Sequence, residues 1–293
     1  MKYPCVAACE DAFPVSRMCE VLAVSESGYY AWLNRPSSKR EQVNQRLGER
    51  IQAIWQRFRG IYGAPRIHAE LQEQGEVVGH NRVARVMQQL GLRGKGTRQR
   101  QPRTTHSNPS HRFEANLLEQ HFDVSQPDAV WLTDITYIPT HEGYLYVAAV
   151  MDLCTRQIVG LSMAHHLRSE LTQSALQMAL SQRQPTDPLI HHSDRGSQYT
   201  GDAYRTLLSA YPITVSMSRT GNCLDNAPME SFWATLKREC ADYVFDSLTH
   251  ARTEVFGYIM GFYNRLRRHS ALGYLSPQNF ELQLTRQICT LSN

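Results

Sequence analysis

The stretch Val130-Trp131-Leu132-Thr133-Asp134-Ile135 places one acidic side chain among apolar and β-branched residues. Residues 129–138 continue this composition, which favours a β-strand. Residues 144–151 and 157–163 are similar, and Gly143 supplies a turn between the first two runs. Because the connections between the three runs are short, we expect an antiparallel meander with Asp134 inside its first strand.

The chain after this meander alternates between helical and strand patterns. Apolar residues at helical spacing over 171–179 predict a helix, and residues 189–193 and 213–216 predict a fourth and a fifth strand. A helix over residues 227–240 follows, and then a last long helix whose apolar stripe consists of Val255, Ile259, Phe262 and Leu266. This order predicts an α/β fold in which helices flank a mixed five-stranded sheet.

Three acidic residues lie at positions where carboxylates can meet. Asp134 lies within an apolar strand, Asp194 directly follows the fourth strand, and Glu230 lies in the first turn of the helix that Pro228 opens. Taken singly, either aspartate can be a turn residue, and the helix dipole favours a first-turn acid at Glu230. Taken together, they predict oxygen ligands for two divalent cations about 4 Å apart, an arrangement suited to phosphoryl transfer.

Residues near Glu230 are candidates for a supporting role. Asn222, Asp225 and Asn226 precede its helix, and Asp225 or Asn226 can cap the first turn. Lys237 lies two turns after Glu230 on the same helix face, where its ammonium group can bind a phosphate next to the scissile one. A plain surface lysine is the alternative.

The N-terminal part of the chain predicts helices. Apolar residues recur at i, i+3, i+4 and i+7 over 51–58 and again over 83–90. Pro65 can open a further helix between these two, and Gly75 can end it. The last two helices predict a helix-turn-helix that carries Arg82 and Arg85 toward DNA, whereas a helical bundle with solvated charges is the alternative.

Charge is unevenly distributed along the chain. The formal net charge is +4, but residues 1–112 hold 18 Lys and Arg against 9 Asp and Glu, and residues 113–293 hold 13 against 18. This excess indicates a polyanion-binding N-terminal half. Residues 91–109 predict a basic linker in which phosphate contact is favoured over a simple tether. Its basic residues include Arg93, Lys95, Arg98 and Arg100.

Length and composition exclude several classes of protein. The chain has 293 residues, of which 42% are hydrophobic and 20% charged, as in globular domains. No apolar run reaches the roughly 18 residues that a membrane helix needs, and we expect no secretory signal at the start. Seven cysteines without a C-x-x-C pair favour a reducing cytoplasm over a disulfide framework or a zinc ribbon.

Five motifs span most of the chain. They are Tyr62-Gly63-Ala64-Pro65-Arg66-Ile67, Trp131-Leu132-Thr133-Asp134-Ile135-Thr136-Tyr137, His192-Ser193-Asp194-Arg195-Gly196-Ser197-Gln198-Tyr199, Gly221-Asn222-Cys223 with Asp225-Asn226-Ala227-Pro228-Met229-Glu230-Ser231-Phe232, and Tyr263-Asn264-Arg265 with Arg267-Arg268-His269-Ser270-Ala271-Leu272-Gly273-Tyr274. Together they resemble the OrfB-type transposases of bacterial insertion sequences. The 35 residues between Asp194 and Glu230 match the D, D-35-E signature of that family.

The resemblance implies a ribonuclease H-like fold and a DDE transposase with an integrase catalytic core. Asp134, Asp194 and Glu230 would hold two Mg²⁺ ions, which Mn²⁺ can replace. Water would free a 3′ hydroxyl at an insertion-sequence end, and that hydroxyl would attack a second phosphodiester. The partners implied are double-stranded DNA (terminal repeats and target), a second copy of the chain at least, and the product of an upstream reading frame. The implied location is the bacterial cytoplasm, at the nucleoid.

Three residues depart from the family pattern, in which we expect an aromatic residue at Leu224, Ser at Gly201 and Trp at Leu161. These departures concern substrate contacts rather than the acids.

The expected boundaries are an N-terminal helical segment at 1–40, a helix-turn-helix region at 41–92, a basic linker at 93–122, a ribonuclease H-like core at 123–246 and a C-terminal helical segment at 247–293.

Two other functions remain open at this point. The first is a metal-dependent nuclease that cuts DNA without joining it. The second is a catalytically silent DNA-binding regulator, against which the three intact acids argue, because a protein that only binds DNA gains little from acids near phosphates.

Overall fold

The computed structural model describes residues 2–36, 38–96, 114–219 and 223–291. Arg98, Arg100 and Asn222 lie outside these ranges, and so do the predictions made for them. No helix within the described ranges is long and apolar enough to cross a membrane.

The N-terminal part is helical, as the sequence predicts. Three short helices pack around Val6, Cys19 and Tyr29, and three further helices pack around a separate core that includes Ile51, Ile67 and Val83. The first three are α1 (Tyr3–Ala8), α2 (Val15–Val21) and α3 (Glu26–Leu33), and the next three are α4 (Lys39–Arg57), α5 (Ala64–Glu73) and α6 (His80–Gln89). We call α4–α6 the helix-turn-helix unit.

The turn between α5 and α6 follows from local sequence. Pro65 lies in the first turn of α5, where its missing N–H leaves no bond unmade. Gly75 follows α5 with a φ of +80°, a left-handed conformation that ends a helix and favours glycine. Val83, Val86 and Met87 of α6 are buried, so this helix packs its apolar face inward.

The sheet contains five strands in the order β3-β2-β1-β4-β5. They are β1 (Val130–Thr140), β2 (Gly143–Asp152), β3 (Ile158–Ala164), β4 (Leu189–Ser193) and β5 (Ile213–Met217). The first three form the predicted antiparallel meander, whereas β4 and β5 run parallel to β1. This mixed sheet is the ribonuclease H-like arrangement that the resemblance implies.

Helices cover both faces of the sheet. Side chains alternate along β1, so Trp131 packs with the helices on one face and Leu132 with those on the other. The Trp131 face is covered by α7 (Ser169–Arg183), α8 (Ser197–Thr200) and α9 (Asp202–Ser209). The Leu132 face is covered by α10 (Ala227–Glu239) and α11 (Leu248–Phe256). Gly160 allows α7 to approach β3, since a Cβ there would overlap the Ala175 carbonyl oxygen.

The last long helix differs from its prediction. α11 passes at Gly257 into a π-helical segment that ends at Tyr263, and Leu266 beyond it is exposed. Because a π-helix has more residues per turn than an α-helix, the buried face shifts to include Tyr258 and Tyr263. The predicted stripe was therefore wrong at Leu266. After a short 3₁₀ turn at Ser270–Leu272, the chain forms α12 (Pro277–Leu291).

Candidate active site

The central strand and its parallel neighbour bring Asp134 and Asp194 to one end of the sheet. Asp134 lies on β1 opposite Ala149, two residues past Leu132, the last β1 residue that pairs with β4. β4 ends at Ser193, and Asp194 follows at once. Because β1 and β4 are parallel, both acids lie where the carboxyl end of β4 leaves the sheet, the usual ligand-binding edge of parallel strands.

The third acid comes from α10, which packs against β1. Glu230 lies in the first turn of α10 and is exposed. The Asn226 side-chain amide donates a hydrogen bond to the Thr133 carbonyl at 3.2 Å, which ties the start of α10 to the residue before Asp134. Asn226 occupies the N-cap position but makes no side-chain capping bond, so the predicted capping role for it was wrong. Its side-chain amide forms a hydrogen bond with β1 instead.

Burial and neighbouring negative charges both disfavour the ionised form of Asp134. Burial raises the pKa of Asp134 to about 7, and the negative charges of Asp194 and Glu230 add to that rise. Burial also raises the pKa of Asp194. Buried carboxylates at close quarters disfavour each other's charge unless a cation compensates them.

Two hydrogen bonds hold the aspartates in place. The Trp233 indole N–H donates to Asp134 Oδ2 at 3.1 Å, and the Gly196 backbone N–H donates to Asp194 Oδ1 at 2.9 Å. Each bond favours the charged carboxylate and thus opposes the effect of burial. Trp233 lies one turn after Glu230 on α10, so the helix that carries the third acid also orients the first.

The donor set suits a hard divalent cation, since it consists of carboxylate oxygens. Within the described ranges, however, no three acidic, histidine or cysteine side chains are gathered closely enough to enclose an ion. Glu230 is the exposed member, and its charge affects Asp134 less than that of Asp194 does. The site therefore has a fixed pair of acids and a peripheral third.

Asp225 is a structural anchor beside this site. Its buried carboxylate accepts hydrogen bonds from the Arg219 backbone N–H at 2.8 Å and from the Arg219 guanidinium at 2.9 and 3.1 Å. The Gln120 amide donates to it as well, at 3.1 Å. The Arg219 contacts hold the pKa of Asp225 well below its usual range. Asp225 thus joins the segment after β5 to the start of α10.

Lys237 faces the strand that bears Asp134. Its ammonium nitrogen lies 4.9 Å from the centre of the Tyr137 ring on β1, a cation–π distance. Burial lowers the pKa of Lys237, while the charge on Asp134 works against that decrease. Tyr137 and Trp233 both shape the site, although the residue pattern gave neither a role. Their positions, three residues after Asp134 and after Glu230, are the signal that could have indicated them.

The predicted DNA-contacting residues have different surroundings. Arg82 donates two hydrogen bonds to the Asn44 side chain, at 2.7 and 3.1 Å, whereas Arg85 is exposed. Arg93 is exposed, and its carbonyl accepts a hydrogen bond from the Trp55 indole at 3.0 Å. Lys95 is exposed and pairs with Asp242, which follows α10, at 3.0 Å.

The two adjacent histidines of β4 serve the fold. They point to opposite faces of the sheet: His191 meets the Tyr204 hydroxyl at 3.0 Å, and His192 meets Ser216 and Ser218 at 2.9 and 3.0 Å. Burial lowers the pKa of His191 to about 3 and that of His192 to about 4. Both rings therefore stay neutral at neutral pH.

Comparisons with known proteins identify the family of this chain. Residues 124–223 and 211–277 match two models that are both described as an integrase core domain, and residues 42–101 match an HTH-like domain. The transposase InsF of insertion sequence IS3A from Escherichia coli is 41% identical over 286 residues, which cover 96% of this chain and 98% of the relative. The chain belongs to the IS3 family of insertion-sequence transposases.

A second relative of this transposase is the uncharacterized 31 kDa protein of insertion element IS600 from Shigella sonnei. It is 46% identical over 264 residues, which cover 90% of this chain and 97% of the relative. The family makes the chain a DNA transposase and a polynucleotidyl transferase, as predicted.

Solved structures overlap the transposase more loosely. The simian T-cell lymphotropic virus intasome matches with a TM-score of 0.41 and 14% identity, over 68% of this chain and 64% of that one. The catalytic core domain of BIV integrase matches with a TM-score of 0.39 and 17% identity, over 55% and 97%. Overlap at this level does not extend to details of the site.

Proposed function

We propose that the transposase cuts and joins DNA at insertion-sequence ends with Asp134, Asp194 and Glu230 as its catalytic acids. The observation that carries this proposal is that Asp134 on β1 and Asp194 after β4 lie at one end of the sheet, beside the helix α10 that bears Glu230. Burial raises the pKa of both aspartates, and a bound cation would favour their charged forms.

Two Mg²⁺ ions, or Mn²⁺ in their place, would be held by these three acids and would supply activation of the attacking oxygen and stabilisation of the leaving oxygen. Trp233 and Gly196 each orient one carboxylate oxygen, and the remaining lone pairs of Asp134 and Asp194 would be available to a ligand. Glu230, on the exposed first turn of α10, completes the set by a change of rotamer. Lys237 contributes a positive charge to a phosphate beside the scissile one.

The same site serves two successive nucleophiles in this proposal. Water first cleaves one strand and frees a 3′ hydroxyl, and the hydroxyl then attacks another phosphodiester. Fixed positions of Asp134 and Asp194 would orient the reacting groups, so that the attacking oxygen lies in line with the leaving oxygen. Joining two ends requires at least two copies of the chain on DNA, and the product of an upstream reading frame is a further proposed partner.

Double-stranded DNA would be recognised through the helix-turn-helix unit. α6 buries one apolar face and exposes Asn81, Arg85 and Gln88 on the opposite one. Asn and Gln can bond both polar atoms of adenine in the major groove, and Arg can do so for guanine. We expect α6 to lie in the major groove of the terminal repeat, while the basic residues from Arg93 onward contact phosphates.

Replacing Asp194 by Asn tests the proposed acids. Because even a residue that only supports a metal ligand changes activity by about 10- to 100-fold, we expect nicking and joining to fall by at least roughly 100-fold. Binding to a terminal-repeat fragment should persist. The assay scores nicked and joined products of labelled ends with Mg²⁺, and Asp202→Asn is the matched control, since Asp202 is an exposed acid in the first turn of α9.

The same assay separates the alternatives. Unchanged products with Asp194→Asn would refute the site. Nicks without joined products from the unsubstituted chain would identify a nuclease. Binding without nicks would identify a silent DNA-binding regulator.

A further inference from the structure

Two consecutive arginines near the C-terminus are buried, which is unusual for this side chain. Arg267 is 3% exposed and Arg268 is 8% exposed. A buried guanidinium is tolerated only where charged and polar partners satisfy it. Neither arginine lies in the proposed active site, so their partners indicate another role.

Arg267 is directed toward the core. Its guanidinium forms a two-fold ion pair with Glu239, with both distances at 2.7 Å, and the Tyr258 hydroxyl donates to the same carboxylate at 2.7 Å. These partners hold the pKa of Glu239 below its usual range despite burial. Glu239 is the last residue of α10, nine residues after Glu230 and thus about 13 Å along the same helix axis.

Arg268 is directed toward the helix-turn-helix unit. Its Nε donates to Glu70 of α5 at 2.6 Å, and its other guanidinium nitrogens meet Glu73 of α5 and the Tyr274 carbonyl. Its backbone N–H donates to the Tyr62 hydroxyl at 2.9 Å, and that hydroxyl donates to the Leu266 carbonyl at 3.2 Å. Arg267 therefore bonds to α10 while its neighbour Arg268 bonds to α5, so two adjacent residues connect these helices.

Further contacts join the helix-turn-helix unit to the catalytic core around these arginines. Arg66 of α5 donates to the Arg268 carbonyl at 3.0 Å and lies 3.8 Å from Glu239. Phe262 packs against both the core and the helix-turn-helix unit. Asn264 bonds both backbone groups of Ile158 at 2.9 Å, which anchors the segment to β3. We call the segment 262–268 with these contacts the arginine clamp.

We propose that Arg267 and Arg268 are positioning residues, which fix the helix-turn-helix unit against α10 and thereby select the phosphodiester that reaches the acids. This inference rests on the proposed function. Buried ion pairs are a weak source of stability compared with apolar packing, but they are directional, so they define orientation. A transposase that recognises one DNA segment and cuts at another needs a fixed distance between its DNA-binding part and its catalytic acids. Because Glu239 and Glu230 lie on the same helix α10, fixing Glu239 against the helix-turn-helix unit also fixes the distance from that unit to Glu230.

Arg268→Gln tests the clamp, with Arg265→Gln as the matched control. Arg265 lies in the same segment but is exposed. We expect Arg268→Gln to bind a terminal-repeat fragment within about threefold of the unsubstituted chain. Its kcat for nicking should fall at least tenfold at an unchanged KM, and the remaining nicks should spread to neighbouring phosphates. Arg268→Lys should restore part of the rate, because the ion pair to Glu70 can persist. Arg265→Gln should change neither rate nor position.

Tyr62→Phe provides a milder variant, in case Arg268→Gln unfolds the chain. It removes only the hydroxyl that joins the backbone of Arg268 to that of Leu266, and it should spread the nicks in the same way with a smaller loss of rate. Folded variants that nick the same phosphate at the original rate would overturn the inference. A proportional loss of DNA binding and nicking would overturn it too.

A second measurement does not depend on nicking. Spin labels on exposed Gln88 of α6 and Ser231 of α10 report the distance between the helix-turn-helix unit and the catalytic helix. A narrow distance distribution that broadens in Arg268→Gln supports the clamp, and an unchanged distribution refutes it. If the unsubstituted chain nicks no DNA, the proposed function fails while this measurement still decides on the clamp.

Discussion

At the scale of single residues, the site depends on side chains that hold the acids as well as on the acids themselves. Trp233 donates to Asp134, Asn226 binds the carbonyl of Thr133, and Asp225 ties Arg219 to the start of α10. All three donors or acceptors come from 225–233, next to Glu230. The region that supplies the third acid therefore also positions the first, which makes the geometry of the pair depend on α10.

Trp233→Phe tests this dependence, because it keeps an aromatic ring and removes the indole N–H. A hydrogen bond to a charged group contributes about 1.5–3 kcal/mol, so we expect nicking to slow by roughly 10- to 100-fold at saturating DNA. The Mg²⁺ concentration for half-maximal rate should rise as well. Trp55→Phe is the matched control, since its indole donates to the Arg93 carbonyl, outside the site. Equal rates for both variants would contradict the role of Trp233.

At the scale of helices and strands, local patterns predict the sheet well and its contacts poorly. The apolar, β-branched and aromatic composition of residues 129–138 and 144–151 identifies β1 and β2 as strands. The end of α11 could not be predicted in this way. A stripe that includes Leu266 fits a continuous α-helix, and the π-helical segment at Gly257–Tyr263 shifts it only because Tyr258 and Tyr263 pack into the core.

In the site, too, residues could be predicted from their local sequence, whereas contacts between distant residues could not. Asp134 and Asp194 could be predicted, because an acid inside or just after an apolar strand is costly and visible in the sequence. The bond from Asn226 to Thr133 could not, because it joins residues 93 apart and competes with a capping role that local sequence favours. Arg268 and Glu70 are 198 residues apart, and no spacing rule connects them.

The helix α6 carries a prediction about DNA recognition. Arg82 and Arg85 lie three residues apart, but Arg82 is bonded to Asn44 while Arg85 is exposed beside Asn81 and Gln88. Arg85→Gln should weaken binding to the terminal repeat by about 1–3 kcal/mol, roughly 5- to 150-fold, and relax preference at one base pair. Arg82→Gln should leave the affinity of the folded chain unchanged and lower its thermal stability, because the Asn44 contact is lost.

Fluorescence anisotropy with single-base variants of the terminal repeat measures both changes in α6. Binding to unrelated DNA should stay the same for Arg85→Gln, since base contacts add nothing there. Equal weakening by both substitutions in fully folded protein would contradict the assignment of Arg85 to base contacts.

At the scale of the whole molecule, the junction between the helix-turn-helix unit and the core contains many charged groups within a small volume. Arg66, Arg267, Arg268 and Glu239 meet there, and His269 lies beside them. Ionised acids and a neutral histidine stabilise this junction, since the pKa values of Glu239 and His269 are both lowered there. The attachment of the DNA-binding part to the catalytic part should therefore depend on pH.

His269 makes this dependence measurable. Burial and the charges of Arg267, Arg156 and Arg66 lower its pKa to about 4, from 6.5. Between these values the unfolded chain binds a proton that the folded chain does not, so the free energy of unfolding falls as the pH falls. The contribution is fully present above pH 6.5, and about 2 kcal/mol of it is lost at pH 5. Below pH 4.5, protonation of Glu239, whose pKa is also lowered, adds a further loss.

Urea unfolding of the unsubstituted chain and of His269→Gln at pH 7.5 and pH 5 measures the contribution of His269 to the free energy of unfolding. The decrease in unfolding free energy over that interval should be about 2 kcal/mol smaller in His269→Gln, because glutamine takes up no proton in either state. His141→Gln is the matched control, since His141 is exposed, and it should retain the full decrease. If His269→Gln and His141→Gln lose the same stability on acidification, His269 is not held neutral at the junction, and the charge balance around Glu239 must be set by the arginines alone.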